Sequence, residues 1–182
     1  IYREQIRAIL RASAYGNLKI VLPMVSDVDE VVQARRLIQA AKEELLEEGV
    51  AFNEEIEVGI MVEVPAAVIM LESLCPHVDF LAVGTNDLIQ YTLAASRTDD
   101  RIANLFKPLH PAVLKSLYRV AQVAAAEGVL TLICGEVASH PVYARLLIGM
   151  GFRHLSMSPF AIPEVKCRLR EISGLEAAEM VE

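Results

Sequence analysis

The chain has 182 residues, of which 54% are hydrophobic, and its formal net charge is −7. This acidic balance argues against nucleic acid as the main partner, because phosphate backbones are bound by clustered Lys and Arg. No apolar run is long enough to span a bilayer, so no membrane association is expected.

The chain termini and the cysteines bear on the cellular setting. The opening residues "IYREQIRAIL" lack the unbroken apolar core of a signal peptide, and a start at Ile1 suggests part of a longer product. The three cysteines, Cys75, Cys134 and Cys167, are far apart and have no metal or disulfide spacing. The sequence therefore predicts a reducing compartment, the cytoplasm.

The predicted elements begin with a helix around Ile6, Ile9 and Leu10 that stops before Gly16. Five short runs rich in β-branched residues then follow along the chain. Each run is almost wholly apolar rather than alternating, which is typical of strands buried on both faces. The predicted strands are residues 18–24, 57–63, 79–84, 131–135 and 154–159.

Helical periodicity separates these strands. The first helix between strands should begin at a capping box of Ser26 and Asp29 and end at Gly49. Its apolar stripe is Val31, Ala34, Ile38, Ala41 and Leu45. Further helices are predicted over residues that end at Gly128, over 141–150 and over 163–171. The acidic tail after Gly174 is either a loose end or a helix that continues elsewhere.

Repeated strand–helix units imply a parallel sheet in an α/β fold. Two architectures are compatible with the pattern. A doubly wound open sheet accommodates five strands, whereas a TIM barrel needs eight strands and typically about 250 residues, so this chain would hold only part of one. Periodicity alone does not choose between them.

Polar residues follow the buried strands at the points where the strands end. Glu63 closes one strand, Asn86 and Asp87 follow the next, and Cys134 closes a third. The carboxyl ends of parallel strands share one edge, so Glu63 and Asp87 are expected to converge there. Two carboxylates suit Mg²⁺, and the guanidinium of Arg97 suits a phosphate.

Simpler interpretations of the same residues remain open at this point. Asp87 could be only an N-cap for the next helix, Cys134 an inert core thiol, and Arg97 a solvated surface charge. The four histidines lie in unrelated contexts and are interpreted as loop or capping residues rather than ligands: His77, His110, His140 and His154.

Taken together, several motifs resemble one family. These are "GIMVEVPAA", "VDFLAVGTNDLIQYTLAASR", "LHPAVL", "CGEVAS" and "LLIGMGFRHLSMSP". They are similar to the C-terminal, phosphoenolpyruvate-binding domain of phosphoenolpyruvate-protein phosphotransferase, enzyme I of the bacterial phosphotransferase system, of either the sugar or the nitrogen type. The resemblance covers nearly the whole chain.

The resemblance implies a (β/α)₈ barrel of which this chain supplies about the last five strands. Residues 1–182 would be part of the phosphoenolpyruvate-binding barrel domain, with the upstream strands and the phosphohistidine domain lying outside it. It also implies that Glu63 and Asp87 bind Mg²⁺, Asn86 contacts the substrate phosphate, and Arg97 clamps that phosphate.

For the remaining chemistry, the resemblance makes Cys134 the acid–base residue at the methylene carbon. A thiol suits this role because its ordinary pKa, about 8.5, keeps it protonated near neutral pH. Gly135 would let the backbone approach the substrate closely.

The sequence departs from the family pattern at Ser96, where an acidic residue is common before the arginine. The family also uses arginines from earlier strands and a phosphoaccepting histidine in a separate domain. The chain alone is therefore expected to be inactive. The expected partners are phosphoenolpyruvate, pyruvate, the phosphocarrier protein HPr or its nitrogen-type analogue through the missing N-terminal part, and a second copy in a homodimer.

Three alternatives stay open beside the phosphotransferase. The first is an Mg²⁺-dependent enolate lyase or aldolase of similar barrel type. The second is a relative of phosphoenolpyruvate synthase or pyruvate phosphate dikinase. The third is a module that serves only in folding or dimerisation, because an open barrel edge invites pairing.

Overall fold

Five parallel strands form one sheet in which strands adjacent in sequence are also adjacent in space. The computed structural model describes residues 2–96, 98–99 and 101–181. The strands are β1 (Ile20–Leu22), β2 (Val58–Val62), β3 (Phe80–Gly84), β4 (Leu130–Cys134) and β5 (His154–Leu155). This order confirms the predicted parallel α/β fold, and all strands except β4 are shorter than the apolar runs that predicted them.

Helices precede, connect and follow the strands. The longer ones are α1 (Tyr2–Ser13), α2 (Val28–Glu47), α5 (Thr85–Leu93), α6 (Pro111–Glu127), α8 (Pro141–Met150) and α9 (Ile162–Leu169). Shorter helices that the periodicity did not predict are α3 (Pro65–Ile69), α4 (Leu71–Leu74) and α7 (Glu136–Ser139). The short helix α10 (Gly174–Glu179) lies in the tail. Single 3₁₀ turns lie at Cys75–His77, Ala103–Leu105 and Pro159–Ala161.

The sheet has two unlike faces. One, here called the helix face, is buried in the main core with apolar side chains of the helices, and it consists of Ile20, Leu22, Val58, Ile60, Val62, Leu81, Val83 and Ile133. The other, the open face, is lined by the alternate residues Val21, Met61, Ala82, Leu130, Leu132 and Cys134.

Burial on both strand faces is confirmed for β3 and wrong for β1 and β4. Every residue of β3 is buried, whereas Val21 in β1 and Leu130 in β4 are 36% and 44% exposed. Both of these side chains lie on the open face, on the side of the sheet away from the helices that cover the helix face.

The amphipathic prediction for α2 is confirmed, since the whole predicted stripe is buried. Its capping box, however, is formed by Asp27 and Glu30 rather than by Ser26 and Asp29. The predicted pairing was displaced by one residue because Asp27 takes the extended N-cap conformation, which puts Glu30 at the third helical position.

The tail after Gly174 is a helix packed on α8, which decides between the two predicted alternatives. A capping box of Ser173 and Glu176 starts α10. Gly149 of α8 lies so close to α10 that a Cβ there would be 1.9 Å from the carbonyl oxygen of Ala177.

Among the described residues, none of the helices combines the length and apolarity needed to cross a bilayer.

Candidate active site

The ends of β2, β3 and β4 lie side by side on the open face. Gly84 is the register partner of Cys134, and Val62 is the partner of Val83, which sets Glu63 beside Gly84. Because side chains alternate along a strand, Glu63 and Cys134 project to the same face. The predicted meeting of the strand-end residues is therefore reproduced in the geometry of the sheet.

Glu63 is a buried carboxylate, with only 7% of its surface exposed. Its Oε1 accepts a hydrogen bond from the backbone N–H of Met24 at 2.8 Å. Met24 follows β1 with φ of 56°, a left-handed conformation unusual for a side chain of this size. The turn after β1 therefore takes an uncommon backbone shape that directs an N–H at this carboxylate.

Gly84 leaves room for the second oxygen of the same carboxylate. A Cβ at position 84 would lie 2.8 Å from Oε2 of Glu63 and 3.2 Å from Cγ of Met61. The side chains of both residues thus extend over the end of β3. A residue larger than glycine would displace the carboxylate.

Asp87 lies in the first turn of α5, and Gly84 rather than Asp87 is the N-cap of that helix. The simple N-cap interpretation of Asp87 is therefore wrong. Burial raises the pKa of Glu63, a close carboxylate contact from Asp87 raises it further, and the Met24 N–H opposes both effects. Two carboxylates held this close repel each other when ionised, and a cation between them would relieve that repulsion.

The donor set fits a hard divalent cation with few protein ligands. Within the described ranges, no group of three or more His, Cys, Asp or Glu side chains is arranged to hold a metal. Mg²⁺ is commonly bound by one or two carboxylates and completes its octahedron with water and substrate oxygens. Glu63 and Asp87 match that pattern.

Cys134 lies half-buried at the end of β4. Its Sγ is 3.2 Å from the carbonyl oxygen of Val83, to which it donates, and 3.8 Å from Sδ of Met61. Burial raises the pKa of the thiol, and the negative charge of Glu63 raises it further. The side chain is therefore a protonated thiol at neutral pH, next to the carboxylate pair.

Asn86 and Gly135 connect the turns after β3 and β4. The Oδ1 of Asn86 accepts the backbone N–H of Glu136 at 3.3 Å. Gly135 has φ of 97°, and a Cβ there would lie 2.3 Å from Oγ1 of Thr85. Within this chain, glycine is required at position 135 by the close approach of Thr85.

Arg97, the predicted phosphate clamp, lies outside the described residues. Its neighbour Ser96, which departs from the family pattern, has its hydroxyl 3.0 Å from that of Thr98.

Of the histidines, His110 caps α6 by accepting the Ala112 N–H, as the capping interpretation predicts.

Sequence reasoning missed three residues at this site: Met24, Met61 and Thr85. Met24 carried no recognisable signal, because its contribution is a backbone conformation. Met61 alternates with Glu63 along β2, so the alternation rule could have placed it on the same face. Thr85 follows Gly84 directly, and a polar residue between a buried strand and a helix is a signal that could have been used.

The chain is similar to known proteins over nearly its whole length. Residues 1–173 match the family described as PEP-utilising enzyme, PEP-binding domain. A phosphoenolpyruvate-protein phosphotransferase of Bacillus sp. (strain S) is 44% identical over all 182 residues. The chain spans only 32% of that relative's length, about a third.

Several solved structures have a similar fold, although their sequence identity to this chain is lower than that of the relative above. A citrate lyase from Burkholderia xenovorans superposes with a TM-score of 0.66 at 23% identity, covering 91% of this chain and 53% of that one. A pyruvate kinase from Cryptosporidium parvum superposes at 0.65 and 15% identity, covering 96% of this chain and 34% of that one. These similarities confirm the fold as part of a TIM-type barrel.

The match over 173 of the 182 residues decides the family. The chain belongs to the PEP-utilising enzymes, as their PEP-binding domain.

Proposed function

We propose that this chain is the phosphoenolpyruvate-binding part of an enzyme that transfers the phosphoryl group of phosphoenolpyruvate to a protein histidine and releases pyruvate. The observation that carries the proposal is the contact between the Glu63 and Asp87 carboxylates on the face that also bears the Cys134 thiol. Two carboxylates that could hold a cation and a thiol that could donate a proton to carbon therefore lie together, as this reaction requires. The name of the 44% identical relative supports the same activity.

Glu63 and Asp87 would hold Mg²⁺. When bound, the ion would neutralise the negative charge of the substrate phosphate and carboxylate. The chain's own contribution is to fix the two carboxylates. Met24 donates to Oε1 of Glu63, and Gly84 leaves Oε2 unobstructed.

The substrate phosphate would be held by Asn86 and Arg97, with Gly135 in the neighbouring turn. Arg97 can offer two parallel N–H donors to phosphate oxygens, which is the preferred geometry for this pair. Asn86 has its Oδ1 engaged by the Glu136 N–H, so its amide is held at the turn where the phosphate would bind.

Cys134 would act on the carbon end of the substrate. Loss of the phosphoryl group leaves enolpyruvate, whose methylene carbon must gain a proton to become the methyl group of pyruvate. The Cys134 S–H bond breaks, a C–H bond forms, and solvent later returns a proton to the sulfur. The raised pKa keeps the thiol in the acid form that this step needs.

The reactivity of Cys134 should report its electrostatic environment. Alkylation requires the thiolate, so the raised pKa should place its rate–pH curve in the alkaline range. Glu63→Gln removes one of the two causes of that shift and should therefore move the curve to lower pH. The measurement is iodoacetamide labelling of Cys134 from mildly acidic to alkaline pH, read by peptide mass spectrometry.

Glu57→Gln is the matched control for this titration, because Glu57 precedes the opposite end of β2 and pairs with Lys19. It should leave the Cys134 curve in place. An unchanged curve in Glu63→Gln would contradict the electrostatic coupling of Glu63 and Cys134.

The whole transfer would be carried out by the natural protein, since these residues span 32% of the length of the 44% identical relative. The natural protein that contains it would pass its phosphoryl group to the phosphocarrier protein HPr or a nitrogen-type analogue. The three free cysteines support a cytoplasmic setting.

A homodimer is part of the same proposal. Large apolar side chains are strongly exposed at Ile69 and Phe160, by 69% and 94%. A second copy packed on such residues would remove them from water. Sedimentation of the natural protein as a monomer at micromolar concentration would contradict this assembly.

The function is tested with the natural protein, phosphoenolpyruvate labelled in the phosphoryl group, and Mg²⁺. Label should appear on a histidine, and pyruvate should form in equal amount, with both products lost on chelation of the metal. Cleavage of a carbon–carbon bond without phosphohistidine would instead favour a lyase.

A further inference from the structure

Thr85 is a fully buried polar residue at the start of α5, with 0% of its surface exposed. Its hydroxyl donates a hydrogen bond of 2.8 Å to the backbone carbonyl of Cys134. The bond therefore connects the turn that carries Asp87 with the strand end that carries the thiol. It joins two segments separated by 49 positions in sequence.

The neighbouring backbone is shaped around this hydroxyl. Gly135, next to Cys134, has φ of 97° and ψ of −175°, a conformation in which only glycine is unstrained. A Cβ at Gly135 would meet Oγ1 of Thr85 at 2.3 Å, which no side chain could tolerate. Thr85 can therefore approach the Cys134 carbonyl this closely only because position 135 is glycine.

A second hydrogen bond runs beside the first. The N–H of Glu136 donates to Oδ1 of Asn86, the residue after Thr85. The turns after β3 and β4 are therefore connected at two successive positions. Asp87 follows within the same helical turn, so its carboxylate is carried on the segment that is tied to Cys134.

From this arrangement we infer that Thr85 is a positioning residue, which fixes the Cys134 thiol relative to the carboxylate of Asp87. This inference rests on the proposed function for its catalytic consequence. The thiol must deliver its proton to a carbon atom of a substrate held by the carboxylate pair. A displacement of about 1 Å between such groups can lower a rate by roughly a hundredfold.

Two substitutions separate the hydroxyl from the shape of the side chain. Thr85→Val keeps the volume and removes the donor, whereas Thr85→Ser keeps the donor. Thr92→Val is the matched control, because Thr92 lies on the same helix and its buried hydroxyl has no hydrogen-bond partner among the described residues. Any general effect of losing a buried hydroxyl from α5 should appear in Thr92→Val as well.

The first measurement is independent of turnover. In the natural protein carrying Cys167→Ser, the rate of Cys134 alkylation at fixed pH is read by peptide mass spectrometry. Thr85→Val should raise it about threefold or more, because the strand end is freed and the thiol becomes more accessible. Thr85→Ser and Thr92→Val should react at the rate of the Cys167→Ser parent.

Cys75 reports whether each variant is folded, since it is buried and burial raises its pKa to about 11. It should stay unlabelled throughout. Labelling of Cys75 in Thr85→Val would mean that this variant is not properly folded. The comparison then uses Thr85→Ala, in which water can reach the Cys134 carbonyl. The same rise in Cys134 labelling is required of that variant. No rise in a folded variant, or an equal rise in Thr85→Ser or Thr92→Val, overturns the inference.

The second measurement is steady-state pyruvate formation. Thr85→Val should lower kcat about tenfold while the Mg²⁺ concentration at half-maximal rate changes less than about twofold, and Thr85→Ser should restore kcat. An unchanged kcat would overturn the positioning role. Absence of phosphohistidine in the unsubstituted protein would instead refute the proposed function, and the alkylation comparison would still stand as a test of Thr85.

Discussion

Replacing Cys134 by alanine in the natural protein should lower pyruvate formation from phosphoenolpyruvate by about 100- to 10,000-fold, the usual contribution of a general acid. The physical reason is that enolpyruvate would then have to take its proton from water, without a positioned donor. The thiol fits the donor role because burial and the charge of Glu63 both raise its pKa and hold it protonated. The measurement is a coupled assay of pyruvate.

The specificity of that effect is checked by separating the two half-reactions. Cys134→Ala should still form some phosphohistidine, because neither carboxylate is removed and the phosphoryl group leaves from the other end of the substrate. Cys167→Ala is the matched control, since Cys167 is exposed on α9, and it should keep full activity. Pyruvate formation by Cys134→Ala at the unsubstituted rate would refute the proton-donor role.

Replacing Glu63 by glutamine should weaken Mg²⁺ binding by about tenfold or more and abolish most turnover, because one of two charged ligands becomes neutral. Size and shape are nearly unchanged by the substitution, so the Met24 N–H keeps an oxygen acceptor. The loss would therefore reflect charge rather than a cavity. Titration with Mn²⁺, followed by the paramagnetic signal of the free ion, measures the affinity directly.

The two glutamates beside β2 provide an internal comparison. Glu63 follows the strand and is buried, whereas Glu57 precedes it, is exposed and pairs with Lys19. Glu57→Gln should leave metal affinity and turnover unchanged, because an exposed ion pair contributes little and lies at the other end of the strand. Equal losses in Glu57→Gln and Glu63→Gln would show that net charge, and not the strand-end site, controls binding.

The sequence by itself determined the order of elements and the residues that end the strands. Apolar runs and the stripe of α2 are local patterns, so the succession of strands and helices along the chain, the buried face of α2 and the ends of α6 and α8 at Gly128 and Gly151 followed from them. The positions of Glu63, Asp87 and Cys134 after buried strands also followed, because parallel strands end at a common edge.

Only the tertiary structure decided which groups hold these side chains in place. The Met24 N–H reaches Glu63 across 39 positions, and the Thr85 hydroxyl reaches Cys134 across 49. The tertiary structure also decided that side chains on the open face of β1 and β4 stay exposed to solvent, since burial depends on where the helices pack. Such contacts join segments far apart in the chain, and local periodicity carries no information about them.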